Sequence, residues 1–533
     1  MNDTFRASMR WLHTWTGVTA GWIIFLIFFN GSIAYFRNEI TVWMKPEITA
    51  GFDPATSLSG AESFLKAHAP DAASWTINLP DHRNPVAQVS WSLKHKPGEA
   101  SEQDDDNRHS RAGQQAFIAA DGLPVMTRAT EGGDYFLQFH YALHYLPQFL
   151  GLCLVMLVGI GLMVALTTGI IIHRRIFAQF FTFRPRNGAG SWLDAHTVFA
   201  VLPLPFHIMI TYTGVTIGAF FLMPWGIIAN YAHPQIWSSE VRALWTPPLP
   251  TGQAATLVQL SSVLKKSELL WHVGHAHLIH VTNPMDTSAT IEIERQPFNP
   301  IENTVGDSLF FNGVTGALVH ASSTRNSAAF AGFMVFGLHQ AQFASPALRA
   351  ILFLCGSMGT CMTATGLLLW TTKRRRKLLD PDYNGRGFRL VDTLNVGVIA
   401  GYPAATAAYF WANRLLPVSL ASRAETEVLC EFSFWGLLLV WTFFRSRHRV
   451  WFEICSVAAF LFLALPILNA LTAPRGTFAH LMTGDTLYIW FDIIFLIIGI
   501  LFAAAAFYRV QSLGPYSTGK YGSQSNVSEC RRR

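Results

Sequence analysis

Charge is scarce in this sequence. Only 14% of its 533 residues are Asp, Glu, Lys or Arg, where a soluble domain carries about a quarter. Half of the residues are hydrophobic, and Phe alone occurs 41 times. These figures argue against a soluble protein and for a membrane one. Cysteine is also sparse, and no cysteine falls in a long polar segment. Cys153, Cys355, Cys361, Cys430 and Cys455 lie in or at the ends of apolar runs, and Cys530 is in the tail. A disulfide framework is therefore not expected, and the thiols read as small packing residues. No G-x-G-x-x-G, P-loop or flavin-type segment occurs in any stretch expected on the cytoplasmic side. The glycines of GLCLVMLVGIGLMVALTTG read as helix packing. No A-x-A-like cleavage site follows the first apolar run, so that run is expected to stay as a first span.

Long apolar runs are abundant. Eight can cross a bilayer: Trp11–Phe36, Pro147–Ile172, Trp192–Met223, Ala347–Thr372, Val391–Asn413, Thr426–Phe444, Trp451–Thr472 and Thr486–Tyr508. The net charge of +6 is no sign of nucleic-acid binding. Its clusters, Arg174/Arg175, Lys373–Lys377, Arg445–Arg449 and Arg531–Arg533, sit at span ends or in the tail. If the N-terminus is cytoplasmic, all of these clusters fall inside, as the positive-inside rule requires. Both termini are then cytoplasmic.

Two polar segments remain outside. Each carries a short amphipathic helix (AESFLKAHA; LVQLSSVLKK) followed by alternating runs that read as strands (WTINL, AQVSWSL, QAFIAA; HLIHVTN, TIEIE, SLFFN). Each ends in a turn-like element, DGLPV or NGVTGALV. The insert EASEQDDDNRHSR reads as a mobile loop. The first 375 residues thus look duplicated, as helix, α+β module, helix, twice over. TTGIIIHRR matches ATGLLLWTTKRR, RWLHTW matches SWLDAH, and ALHYLPQF matches GLHQAQF. The expected fold is an all-α polytopic membrane protein with about eight spans, a duplicated four-helix core and two external α+β modules. Its segments are a first span to residue 36, a module over 37–145, spans over 146–175 and 190–224, a second module over 225–338, and a fourth span over 339–377. A four-span extension over 388–510 and a tail over 511–533 complete the chain.

Imidazoles at membrane depth are functional candidates by default. His13 and His196 occupy matching places at the cytoplasmic entries of the first and third spans. His144 and His339 do so at the external entries of the second and fourth. Each pair could grip a haem b between two neutral imidazoles on different helices, and two stacked sites would make an electron path. His207 lies eleven residues after His196, about 16 Å along a helix and ~20° from the same face. His140 stands one turn before His144. The outer haem can therefore use His144 with His339 or take His207 or His140, and a third haem is arithmetically open. Zinc would want three or four clustered ligands, and only Asp194 stands nearby. His173, next to Arg174 and Arg175, reads as an interfacial anchor. His275, His277 and His280 could touch a ligand, but they read first as a solvated strand face.

At this point the residues resemble a family. RWLHTWTGVTAGW, FHYALHYLPQF leading into TTGIIIHRR, FFTFRP followed by SWLDAHTVFAVLPLPFHIMITYTG, and GLHQAQF look like the PepSY-associated transmembrane helix family. That family includes iron-regulated inner-membrane proteins and ferric-siderophore reductases. The likeness covers roughly residues 5–375, although His339 is not followed by the Arg usual in the family. The resemblance implies four core helices, two periplasmic PepSY-like modules and a place in the bacterial inner membrane. It implies haem held by His13, His144, His196 and His339, and reduction of ferric siderophore, or another periplasmic chelate, with cytoplasmic electrons. The donor would be a separate cytoplasmic reductase or a membrane quinol. Two other readings stand beside this one. One is a repeat-built transporter with histidine proton relays, which would favour broken helices and midplane carboxylates; none is expected in the first four spans. The other is a sensor or regulatory membrane anchor. The last four helices carry no buried histidine, and no chemistry is assigned to them.

Overall fold

A computed structural model of the chain describes residues 3–48, 53–81, 83–94, 115–173, 184, 188–231, 248–272, 275–295, 308–322, 327–341, 343–375, 385–473 and 486–512. The charged insert at 99–111, most of the basic segment after His173 and the tail beyond residue 512 lie outside the described residues.

The chain opens with α1 (Asp3–Ala34) and a short α2 (Arg37–Met44), followed by α3 (Pro54–His68). The strands β1 (Ser74–Asn78), β2 (Ala87–Ser92), β3 (Gln115–Ile118) and β4 (Pro124–Val125) come next. A short α4 (Asp134–Ala142) leads into α5 (Gln148–Ile172). The order then repeats. A broken span, α6 (Ala189–Val201) with α7 (Leu204–Leu222), is followed by α8 (Trp225–Asn230) and α9 (Leu260–Trp271). The strands β5 (Ala276–Thr282), β6 (Thr290–Arg295), β7 (Ser308–Asn312) and β8 (Leu318–Ser322) precede α10 (Ser327–Gln340) and α11 (Pro346–Arg374). Five helices lie beyond the repeat: α12 (Arg386–Ile399), α13 (Gly401–Leu415), α14 (Arg423–Phe444), α15 (Arg447–Thr472) and α16 (Leu487–Ser512).

Among the described residues, seven helices are by themselves long and apolar enough to cross a membrane: α1, α5, α7, α11, α14, α15 and α16. The chain is a multi-pass membrane protein. The expectation of about eight spans counted Val391–Asn413 as one helix. The structure divides it into α12 and α13, of 14 and 15 residues, with Gly401 and Pro403 at the break. The third span is broken too, contrary to the expectation of unbroken core helices. Pro203 and Pro205 flank the start of α7; proline lacks the amide proton that a continuing helix would use.

The two α+β segments are not separate modules. They pair β1 with β5 and form one antiparallel eight-stranded sheet, ordered β4-β3-β2-β1-β5-β6-β7-β8. At the seam Trp75 faces Val281 and Ile77 faces Ile279. Strand alternation sends Trp75, Ile77, Val89, Ile279, Val281, Ile291 and Ile293 to one face, where α3 and α9 cover them with Leu58, Leu65, Leu260 and Val263. Trp75 is fully buried, and its replacement by Ala is expected to cost about 3–5 kcal/mol. The repeats are also tied by Glu62 of α3, whose carboxylate accepts the backbone N–H of Leu260 at the start of α9 at 3.0 Å.

Ion pairs hold this sheet to the helices. Arg83, between β1 and β2, donates to both oxygens of Glu39 at 3.0 Å and to the Tyr35 carbonyl at 3.1 Å. Arg349 of α11 pairs with the same carboxylate. Burial opposes the charge on Glu39, but the two guanidiniums outweigh it and hold the carboxyl below its ordinary range. The later helices join the same end. Arg128, after β4, donates to Glu47 at 2.7 Å and to the Asn413 carbonyl at 2.9 Å, and Arg414 donates to the Trp43 carbonyl at 2.7 Å.

Candidate functional site: two histidine pairs

Far from the sheet, His13 of α1 and His196 of α6 face each other with ring centres 6.2 Å apart. Near the sheet, His140 of α4 and His339 of α10 face each other at 5.9 Å. The structure thus brings His13 against His196, as their matched places suggest. It brings His140, not His144, against His339. The helix that carries His140 stops short of His144: α4 ends at Ala142, and Leu143 and His144 have φ of 55° and 43°. His140 and His144 are thus not one turn apart on a single helix. His144 lies instead among Tyr135, Tyr145 and Phe432, with ring centres 4.6–5.9 Å away. The Leu-His match between ALHYLPQF and GLHQAQF was misleading. The structural equivalents are His140, three residues before left-handed Leu143, and His339, two residues before left-handed Ala341 (φ 49°).

All four rings are seated in one way. His13 Nδ1 donates to the Ala165 carbonyl at 2.9 Å, His196 Nδ1 to that of Met362 at 2.8 Å, and His140 Nδ1 to that of Ile27 at 2.8 Å. His339 Nδ1 lies 2.9 Å from Thr213 Oγ1, with the Ile210 carbonyl as its backbone partner. In each case a glycine follows the carbonyl residue by four positions: Gly169, Gly366, Gly31 and Gly214. A Cβ there would stand 3.3, 3.1, 2.6 and 2.9 Å, respectively, from the nearest atom of the histidine ring. Each ring therefore lies on the bare backbone of a neighbouring helix. The residue before each glycine is Thr168, Thr365, Thr213 or Asn30. The three threonines bond back to carbonyls of their own helices at 2.7–3.2 Å. Sequence reasoning missed this cradle, although its signal was present as Thr168-Gly169, Thr213-Gly214, Thr365-Gly366 and Asn30-Gly31; Thr16-Gly17 of α1 has the same dipeptide but no ring against it.

With Nδ1–H donated, Nε2 keeps its lone pair and is the nitrogen available to a metal; such outer hydrogen bonds fix tautomer and orientation. A metal between two imidazoles needs about 2.0 Å to each nitrogen, itself about 1.1 Å from its ring centre, so centres about 6 Å apart suit it. Both pairs have that spacing. Beside His140 and His339 lies a cavity of about 1070 Å³, walled by Phe28, Val158 and Ile210 and edged by Arg37 and Arg83. That is at the upper end of small-molecule sites, which are roughly 300–1,000 Å³. Among the described residues, no three His, Cys, Asp or Glu side chains gather as a metal cluster, so the donor set is pairs of imidazoles.

His207 is fully buried against Phe28, with ring centres 5.4 Å apart. Its Nε2 lies 3.3 Å from the Cys355 carbonyl, and its Nδ1 has no partner. It faces no second histidine among the described residues and stands between the pairs. His277 and His280 are half-buried on the sheet, not a solvated face. His280 meets Thr76 Oγ1 at 3.0 Å, and burial pushes the pKa of both imidazoles down.

A family model described as the PepSY-associated TM region matches residues 10–373. The chain belongs to that family. The match contains all four paired histidines of this PepSY-associated protein and ends before α12. An uncharacterized protein of Pseudomonas aeruginosa is 26% identical over 300 residues, 54% of this chain and 74% of the relative.

Proposed function

We propose that this PepSY-associated membrane protein carries electrons across the bacterial inner membrane through two haem b groups and delivers them to a ferric chelate, most simply a ferric siderophore, on the sheet side. Its enzymatic class would be oxidoreductase. One haem would sit between His13 and His196, the other between His140 and His339. The observation that carries this reading is the fourfold cradle: two imidazole pairs about 6 Å apart, every Nδ1 tied down and every ring laid on a glycine. Bound there, haem would supply a one-electron couple.

The chain's own residues would do the rest. The Ala165, Met362 and Ile27 carbonyls and Thr213 would fix the four rings by Nδ1 and leave Nε2 free for the iron. From His13 to Ile27, whose carbonyl accepts the His140 Nδ1–H, α1 advances 14 residues, about 21 Å. That is some two-thirds of the roughly 30 Å hydrocarbon core. Phe28 and His207 occupy the space between the pairs. With both termini cytoplasmic, as the basic clusters favour, His13 and His196 would take electrons from a separate cytoplasmic reductase or a quinol. His140 and His339 would pass them outward under the periplasmic sheet. Loss of one positive charge from Fe(III) weakens a hard-oxygen chelator's hold, which frees the metal.

The test is the visible spectrum of the purified full chain before and after dithionite, with a pyridine haemochrome count. Sharp low-spin bands and about two haems per chain are expected. One observation favours a second reading: a third span broken at Pro203 beside buried His207 is a transporter-like feature. A colourless protein would sink the haem reading and promote the transporter.

A further inference from the structure

The helices beyond the family match carry a buried carboxyl that electron transfer as proposed does not use. Glu431 of α14 is fully buried, at 0% exposure. One of its oxygens accepts the Thr406 hydroxyl at 3.2 Å, and the other has no hydrogen-bond partner. The Tyr135 hydroxyl, equally buried, is its second polar neighbour. One turn earlier, Glu427 is fully provided for. It pairs with Arg423 and accepts from Asn413 at 2.8 Å and from Thr130. Two carboxyls on one helix face thus differ: one is balanced by a cation, and the other has none beside it among the described residues. An uncompensated carboxylate at membrane depth is costly, and a proton is the simplest ion that balances it.

Glu431 is also wired to one histidine pair. Thr406 sits one turn from Tyr402 on α13, and its single hydroxyl proton is shared between Glu431 and the Tyr402 carbonyl, each at 3.2 Å. The Tyr402 hydroxyl donates to Asn30 Oδ1 at 2.9 Å. Asn30 is the single departure from threonine among the four cradle positions, and it precedes Gly31, on which the His140 ring lies. The three threonines close on their own helices; Asn30 alone reaches the extension. The other titratable groups around Glu431 are Tyr402 and Tyr409 on α13, with Arg414 farther along that helix; Glu131, Tyr135 and His144 at and beside α4; and Arg423, Glu427 and Cys430 on α14 itself.

We propose that Glu431 is a proton-exchange site, contributed by the C-terminal helices, that is coupled through Tyr402 and Asn30 to the redox state of the His140/His339 pair. The inference rests on the haem reading of that pair. One electron arriving there from the donor adds one negative charge to a dry site. One proton from water on the sheet side then joins the Glu431 carboxylate, and it leaves when the electron passes to the ferric acceptor. Charge is conserved at each stage.

The test is redox potentiometry of the full haem-loaded chain across a series of pH values, with the His13/His196 haem as internal control. The His140/His339 haem is expected to lose potential as pH rises, by up to about 59 mV for each tenfold fall in proton concentration, the limit for one proton per electron. The control haem is expected to change less. Glu431→Gln should flatten that slope while the haem count stays the same, and Tyr402→Phe should reduce it. An equal slope in wild type and E431Q overturns the proposal. Should E431Q fail to fold, the redox-difference infrared spectrum of the wild type decides. A carboxyl C=O band that shifts in heavy water supports the site, and its absence overturns it. A protein without haem would instead overturn the functional reading itself.

Discussion

The two histidine pairs share one construction and differ in what surrounds them. His13 and His196 project from helices of the bundle itself, onto carbonyls of α5 and α11. His140 and His339 project from short helices that precede spans, onto α1 and α7. The pair near the sheet adjoins the large cavity and its arginine edge, and through Asn30 it alone reaches the added helices. The pair far from the sheet is tied into the duplicated bundle. A duplicated frame has thus kept one way of seating an imidazole and placed it in two settings, one self-contained and one open to outside groups.

The largest test of that comparison is to remove one pair at a time. His196→Ala and His339→Ala should each lower the haemochrome count from about two to about one per chain, and their spectra should differ in which band is lost. His144→Ala should leave the count unchanged, which would separate the structural pairing from the one suggested by sequence. Next comes the glycine series. Gly31→Ala puts a methyl 2.6 Å from His140 and Gly214→Ala one 2.9 Å from His339, so both should empty most of the site near the sheet. Gly169→Ala, at 3.3 Å from His13, should leave the far site largely loaded, as haem titration would show.

A smaller effect is expected from the hydroxyls. Thr213→Val removes the oxygen nearest His339 Nδ1 and should cost about 1 kcal/mol of orientation, read as several-fold faster haem loss. Thr168→Val should do less, because its oxygen is 3.4 Å from His13, which keeps the Ala165 carbonyl at 2.9 Å. The smallest effect concerns the sheet. Burial lowers the His277 and His280 pKa values from the ordinary 6.5, so the unfolded state binds more protons. Stability is then full above the unfolded value and is lost as pH falls below about 6.5. Asp286 acts in the same direction at lower pH. Bonds led by the Thr251 hydroxyl hold its carboxyl well below the ordinary range, so its contribution is lost in stronger acid. Tryptophan fluorescence during thermal unfolding at falling pH should show the sheet melting earlier, with Asp286→Asn removing the most acidic part of the trend.

Much of this architecture is legible in residue patterns. Apolar runs of bilayer length mark the spans, and period-two alternation marks strands such as Trp75–Ile77 and Ile291–Ile293, because both signals are local. The repeat was legible from its flanks, and so was the pairing of His13 with His196. His140 was harder to rank above His144, because the choice turned on two left-handed residues after Ala142, a non-local outcome of how α4 meets α5. The Thr-Gly cradle was visible but silent. A glycine shows its purpose only when another helix brings a ring against it.

The sequence by itself determined a multi-pass membrane chain, a duplicated core with external α+β segments, and a short roster of histidines at membrane depth. Hydropathy and periodicity are properties of neighbouring residues, so they survive without a fold. Tertiary structure alone decided that two modules share one sheet, that His140 and not His144 faces His339, and that Glu431 lies buried with no cation beside it among the described residues. Each of these depends on contacts between segments more than a hundred residues apart or on burial by several helices at once, and neither leaves a mark in local sequence.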